Sequence, residues 1–298
     1  MRGRRSGAIE FDKMAGGGND FVVIDNRSGA VTDAADLARR VCTRRLSVGA
    51  DGLILIENSS RARFRMQYLN ADGSAADFCA NGTRCAARFA LLHVIAPRKM
   101  TIETGAGVLA AEVVDQQVEL SLHGPRNGSR ETALQRRDGS TVTGSYLVVG
   151  VPHYVILLGR DENLWERSID AEGRELRLHP DLQPEGANID WLQVSSRDQI
   201  AVRTWERGVE GETLSCGSGV TASAAVAALG GLIDSPVSVM TRSGIPFRVS
   251  WQSNENGVIT EMKLRGDARL IYRAELTRET LEGFDPEWVR RPGRREPA

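Results

Sequence analysis

The chain has 298 residues, of which 41% are hydrophobic and 26% charged, a balance that suits a globular fold and is long enough for two domains. Its 38 Lys and Arg against 39 Asp and Glu give a formal net charge of -1, so there is no overall electrostatic pull towards nucleic acid or a membrane surface. No apolar run approaches a membrane span, and the basic start Met1-Arg-Gly-Arg-Arg5 is followed by no signal-peptide core; a cytoplasmic location with no membrane partner is expected.

Taken in order, Ala15-Gly-Gly-Gly-Asn19 reads as a flexible turn into a strand at Asp20 to Ile24. Asp33 is the expected N-cap of a helix reaching Arg45, with Leu37, Ala38, Val41 and Cys42 on its apolar face. Leu53 to Glu57 and Arg63 to Leu69 read as strands, and Asn70-Ala-Asp-Gly-Ser74 as a turn. Cys79 opens a helix on which Cys85, Phe89 and Leu92 share one face, so Cys85, like Cys42, is expected in the core. Met100 to Thr104, Val108 to Val114 and Val118 to Leu122 form a meander. Pro125 to Gly139 is polar and is the expected crossing between two halves.

The second half begins with strands at Tyr146 to Val149 and Tyr154 to Leu158, then a polar helical stretch to about Arg177. Strands at Trp191 to Val194 and Ile200 to Trp205 lead to the least polar segment of the chain, the helix after Cys216. From Val220 to Leu229 only Thr221 and Ser223 are polar, and a helix apolar on every side must be enclosed. Val237 to Met240, Phe247 to Trp251, Val258 to Leu264 and Ala268 to Tyr272 are short strands, and a surface tail is expected from Arg278 to the end.

The Cys216 and Cys79 segments align at a fixed offset of 137 residues, which places Tyr68 on Trp205, Gly82 on Gly219, Ala90 on Ala227, Leu92 on Leu229 and Thr104 on Thr241. Such similarity indicates a duplicated unit. The expected fold is α+β, with two pseudo-symmetric halves, each a curved, mostly antiparallel sheet wrapped around a central apolar helix. Each of those helices presents a cysteine at its N-terminus, where free amides and the positive end of the helix dipole favour a thiolate or a substrate carboxylate.

Four cysteines without a secretory signal imply free thiols in a reducing compartment, and their spacing suits no metal site. Two thiols facing each other across a cleft permit an inversion: one thiolate removes a proton from carbon while a thiol on the other face returns one. Amides of Ala80, Asn81, Gly217 and Ser218 would hold the carboxylate on which charge accumulates. Gly217-Ser-Gly-Val-Thr-Ala222 also matches a relaxed dinucleotide-binding pattern, but no apolar strand precedes it and no alternation of parallel strands and helices surrounds it.

Gly18-Asn-Asp-Phe-Val, Gly49-Ala-Asp-Gly, Asn70-Ala-Asp-Gly-Ser, Cys79-Ala-Asn-Gly-Thr-Arg-Cys, Pro152-His153, Asn188, Glu206-Arg-Gly and Cys216-Gly-Ser-Gly together resemble the diaminopimelate epimerases. The resemblance runs from about Phe11 to Tyr272. It implies conversion of LL-2,6-diaminopimelate to the meso form without pyridoxal phosphate, metal or other cofactor, and a homodimer. Cys79 and Cys216 then look like the catalytic base and acid, with His153 and Glu206 beside them. Asn19, Asn70, Asn188 and Arg207 look like substrate ligands, the Arg207 fork suiting the distal carboxylate. In that family the last strand returns to the first domain, which implies a half made of residues 9–126 plus 268–277, a half made of 127–267, and a tail at 278–298. Gly150-Val-Pro-His153 carries valine where many members have asparagine. A related cofactor-independent racemase acting on histidine or proline is the alternative reading.

Overall fold

Apolar residues recur at every second position, or in short continuous runs, along most of the chain, and these stretches fold as strands. In the computed structural model, which describes residues 8–184 and 186–282, the elements begin in chain order with β1 (Glu10–Gly16), β2 (Asn19–Asp25), α1 (Ala34–Cys42), β3 (Gly52–Glu57), β4 (Phe64–Asn70), α2 (Ala80–Leu92), β5 (Lys99–Thr104), β6 (Gly107–Val114), β7 (Gln117–His123) and β8 (Arg126–Gln135). The same order recurs as β9 (Thr141–Val149), β10 (Val151–Leu157), α3 (Asp170–Arg177), β11 (Asn188–Ser196), β12 (Gln199–Glu206), β13 (Gly211–Thr213), α4 (Gly217–Leu229), β14 (Val237–Met240), β15 (Phe247–Ser253), β16 (Ile259–Asp267) and β17 (Arg269–Glu275). A last short helix, α5, spans Arg278–Glu282.

Strand pairing repeats with the elements. In the first half β1 and β2 are antiparallel, β2 and β3 parallel, β3 and β4 antiparallel, β4 and β5 parallel, then β5, β6 and β7 antiparallel. In the second half the same alternation runs through β9, β10, β11, β12, β14, β15 and β16, with β13 as an extra short strand on β12. The sheets join where β7 pairs with β16, and β17 crosses back to pair with β1, as β8 pairs with β9. The fold is therefore α+β, two like halves whose curved sheets each enclose one helix.

The enclosed helices are α2 and α4. Gly217 to Ala225 are all buried, as are Ala80 to Ala87, while the terminal leucines emerge, Leu92 being 39% and Leu229 44% exposed. One core runs through both halves around these two helices, and smaller cores lie under α1 and α3 on the outer faces. The outer helix α1 is capped by Asp33, whose carboxylate accepts the Asp36 amide at 2.9 Å. It stops at Cys42 rather than Arg45, because the amides of Gly49 and Ala50 take the carbonyls of Val41 and Cys42.

Other expectations are refined. Pro125 to Gly139 contributes a long strand, β8, anchored by fully buried Leu134 against β9; a polar edge strand carries little periodic signal. The polar stretch before Arg177 is helical only over α3, the residues before it forming turns held by buried Leu164 and Ile169. The glycines after Ala15 are a tight hairpin, with φ of +62° at Gly17 and +98° at Gly18. A β-carbon on Gly17 would lie 2.7 to 2.8 Å from Asn81, Phe247 and Ser215, so the turn is pressed between elements of both halves. Of the expected tail, residues 278–282 form α5, where Arg40 Nη1 donates to the Leu281 carbonyl at 2.7 Å; residues 283–298 lie outside the described residues.

Candidate active site

Both enclosed helices begin on a cysteine. Cys79 is the N-cap of α2, half-buried and extended, and its sulfur accepts the Gly82 amide at 3.4 Å. Cys216 is the N-cap of α4, 7% exposed, with its sulfur 3.3 Å from the Ser218 hydroxyl. The residues that follow, Ala80 and Gly217, touch: a β-carbon on Gly217 would lie 2.6 Å from the Ala80 Cβ. Two positive helix ends, each bearing a thiol and amides outside the helix's own hydrogen-bond ladder, thus converge where the halves meet.

Side chains of the second half line the floor beneath α4. His153 begins the paired run of β10 opposite Asn188 of β11, and Glu206 ends β12 one residue beyond Trp205, the partner of Ile189. His153 and Asp190 are fully buried, with His153 Nδ1 2.7 Å from Asp190 Oδ2. Thr204 donates its hydroxyl to Asp190 Oδ1 at 2.6 Å. Asn188 accepts the Arg207 amide on Oδ1 at 2.7 Å, which turns its Nδ2 towards His153 Nε2 at 3.4 Å. The Arg207 backbone is thereby tied into the site, its half-buried side chain standing at the end of β12.

Asn81 holds the two helix ends to the first hairpin. Its Nδ2 donates to Asn19 Oδ1 at 2.8 Å and to Ser215 Oγ at 3.2 Å, and its Oδ1 accepts Arg84 Nη2 at 2.6 Å. Ser215 in turn donates to the Gly17 carbonyl. Asn19 donates to Asp51 Oδ2 at 2.9 Å. Asn70 closes its own turn by donating to Ser74 at 3.0 Å, and lies opposite Gly52, next to Asp51.

Charge distinguishes the thiols. Burial pushes Cys79 up to about 11 from the ordinary 9.0, the Gly82 amide opposing it; Glu206 raises it further and the buried Arg84 guanidinium pulls it down. Cys216 is pushed well above 9.0 by burial and then by two carboxylates, Glu206 and Asp190, with the Ser218 hydroxyl pulling the other way. Burial also raises Glu206, which Thr213 and His153 partly offset.

The diaminopimelate epimerase signature matches residues 11–127 and 145–270. The chain is 39% identical to the diaminopimelate epimerase of Aquifex aeolicus over 287 residues, covering 92% of this chain and all of that one. It is 38% identical to that of Chlorobaculum tepidum over 271 residues, 89% of this chain and all of the relative. The chain belongs to the diaminopimelate epimerase family. Among solved structures, a probable proline racemase from Agrobacterium radiobacter superposes with a TM-score of 0.67 over 91% of this chain and 93% of that one at 15% identity, a likeness of fold. Among the described residues no helix is long and apolar enough to cross a membrane.

Within this family member, the structure brings Cys79, Ala80 and Asn81 together with Gly217 and, through Ser215, with the start of α4; His153, Asn188, Glu206 and Arg207 form the second-half floor. Asn19 joins through Asn81, whereas Asn70 is bound to its own turn. Sequence reasoning missed Asp190, Thr204, Ser215, Asp51 and Arg84. One signal was available for Asp190: a carboxylate in the apolar run Ile189 to Val194 must have a buried partner. Arg84, likewise fully buried, stacks over Phe247 at 4.9 Å.

Proposed function

We propose that the protein inverts the α-carbon of an amino acid by a two-thiol, cofactor-independent route, converting LL-2,6-diaminopimelate to meso-diaminopimelate in the synthesis of lysine and peptidoglycan precursors. The observation that carries this reading is the contact of Ala80 with Gly217, which sets two cysteine-capped helix ends against each other in one site. The Cys79 thiolate takes the α-proton; the electron pair is left on a carbanion whose charge spreads into the carboxylate held by amides of Ala80, Asn81, Gly217 and Ser218. The Cys216 thiol delivers a proton to the opposite face. Cys79 ends as the thiol and Cys216 as the thiolate, and His153 and Glu206 return the protons to their starting places. For the reverse conversion the two cysteines exchange roles.

Arg207 would take the distal carboxylate through two parallel hydrogen bonds, with Asn19, Asn70 and Asn188 completing the grip. The two catalytic halves comprise residues 9–126 with 268–277, and 127–267. The enzyme works in the cytoplasm, as a homodimer, in keeping with a soluble biosynthetic epimerase.

The test is incubation with isomers of diaminopimelate, histidine and proline in deuterated water, following α-proton exchange by NMR. Exchange confined to diaminopimelate is expected. Faster exchange on histidine or proline would refute the substrate while leaving the two-thiol route standing.

A further inference from the structure

The two halves bury different chemistry at equivalent places. In each, the third residue of the enclosed helix is a glycine resting on the sheet: a β-carbon on Gly82 would meet Ile54 and Met66 at 3.2 Å, and one on Gly219 would meet Asp190 Oδ1 at 2.3 Å and Thr204 Oγ1 at 2.8 Å. Ile54 pairs across the sheet with Tyr68, and Asp190 with Thr204. Two residues before Ile54, Gly52 pairs with Phe21; two before Asp190, Asn188 pairs with His153. Phe21, Ile54 and Tyr68 of the first half therefore occupy the places of His153, Asp190 and Thr204 in the second.

The first trio is an apolar cluster, with the Phe21 and Tyr68 rings edge to face at 5.9 Å. The second is a hydrogen-bonded chain, buried to 3% exposure or less. Since apolar residues support α2 in the same fold, packing alone does not call for a carboxylate beneath α4. A fully buried carboxylate is costly unless it is paired and hydrogen-bonded, as Asp190 is by His153 and Thr204.

We propose that Asp190 is a positioning residue for the reaction, holding His153 as the tautomer with its proton on Nδ1 and so leaving Nε2 without a proton, the nitrogen that exchanges one with the site. The hydrogen-bond geometry selects this tautomer. Asn188 Oδ1 is occupied by the Arg207 amide, so the group it shows Nε2 is a donor and Nε2 must accept. Nδ1 then donates to Asp190, whose other oxygen is held by Thr204. When Nε2 takes a thiol proton, a thiolate and an imidazolium form, and the Asp190 carboxylate balances the imidazolium until the proton is handed back. A carboxylate fixed behind a general-base histidine does the same in hydrolytic triads. The inference rests on the proposed proton-exchange role of His153.

The test is ¹⁵N NMR of the full chain labelled at histidine, with the His153 signals assigned by their loss in His153→Gln, alongside kinetics of α-proton exchange on diaminopimelate. In the parent, Nδ1 should carry the proton and Nε2 should not; a proton on Nε2 would overturn the inference without any variant. Asp190→Asn should lower kcat by about a hundredfold or more while KM changes by less than about threefold, and should move the His153 proton towards Nε2. Thr204→Val, which removes one of the two bonds to Asp190, should lower kcat several-fold and serves if Asp190→Asn does not fold. If Asp190→Asn folds and keeps the parent kcat while His153→Gln is slow, Asp190 has no positioning role. If His153→Gln itself turns over at the parent rate, the fault lies in the proposed role of His153.

Discussion

Ala80 and Gly217 occupy matching positions at the starts of α2 and α4, and they touch so closely that a methyl group on Gly217 would fall 2.6 Å from the Ala80 Cβ. Gly217→Ala should therefore push the two helix ends apart. Overpacking of this kind costs roughly 1–3 kcal/mol, and turnover should fall because the amides and thiols no longer converge. Adding Ala80→Gly should restore most of both losses. Thermal unfolding and exchange kinetics of the two single variants and the double variant would check this, strict additivity counting against direct contact.

Cys79→Ala and Cys216→Ala should each abolish inversion, since on the proposed route each thiol serves one face of the carbon. Cys42 and Cys85 are buried in the cores under α1 and around α2, at 2% and 0% exposure. Their replacement by alanine should cost about 1 kcal/mol of stability and leave turnover intact. Full activity in either of the first two variants would rule out a two-thiol route.

Burial raises all four thiols, Cys79 to about 11 and Cys42 to about 12, with Cys85 and Cys216 also moved upward. The folded state thus keeps these protons to higher pH than the unfolded chain does. Their contribution to stability is fully present below the ordinary thiol value of 9.0 and is lost as pH rises through the folded values. Urea unfolding from about pH 7.5 to about pH 10.5 should show a falling midpoint. Cys42→Ala should make that fall shallower; an unchanged slope would contradict the assignment.

Arg207→Lys should lose a large share of activity on diaminopimelate. Lysine supplies the charge without the planar fork, and a charge-assisted hydrogen bond contributes roughly 1.5–3 kcal/mol. A substrate lacking the distal carboxylate should be turned over poorly by the parent and be little affected by the substitution. Equal kcat/KM for parent and variant on diaminopimelate would remove Arg207 from substrate binding.

The two enclosed helices, their cysteine caps and the duplicated order of elements were legible because each is a local property. The charge-free helix after Cys216 must be buried, and α2, although it carries Arg84 and Arg88, is tied to it by the fixed offset that sets Gly82 on Gly219 and Leu92 on Leu229. In the strands the offset misleads by one residue. Tyr68 faces the α2 core beside Phe21, whereas Trp205 faces the α3 core, and the place of Tyr68 is taken by Thr204. A single-residue slip reverses a side chain's face, and only strand pairing reveals it.

The motifs already placed Cys79, Cys216, His153, Asn188, Glu206 and Arg207 in one candidate set. What the chain alone left open was how they are held. His153 and Asp190 are 37 residues apart and meet because β10 and β11 run parallel across α3, and Asn81 and Ser215, 134 apart, meet because the halves close on each other. Composition and periodicity determine which residues must be buried. Which polar groups are buried together, and so which are neutralised, oriented or left able to react, is set by the packing of distant strands, because hydrogen bonds and charges act over a few ångströms of space whatever their separation in sequence.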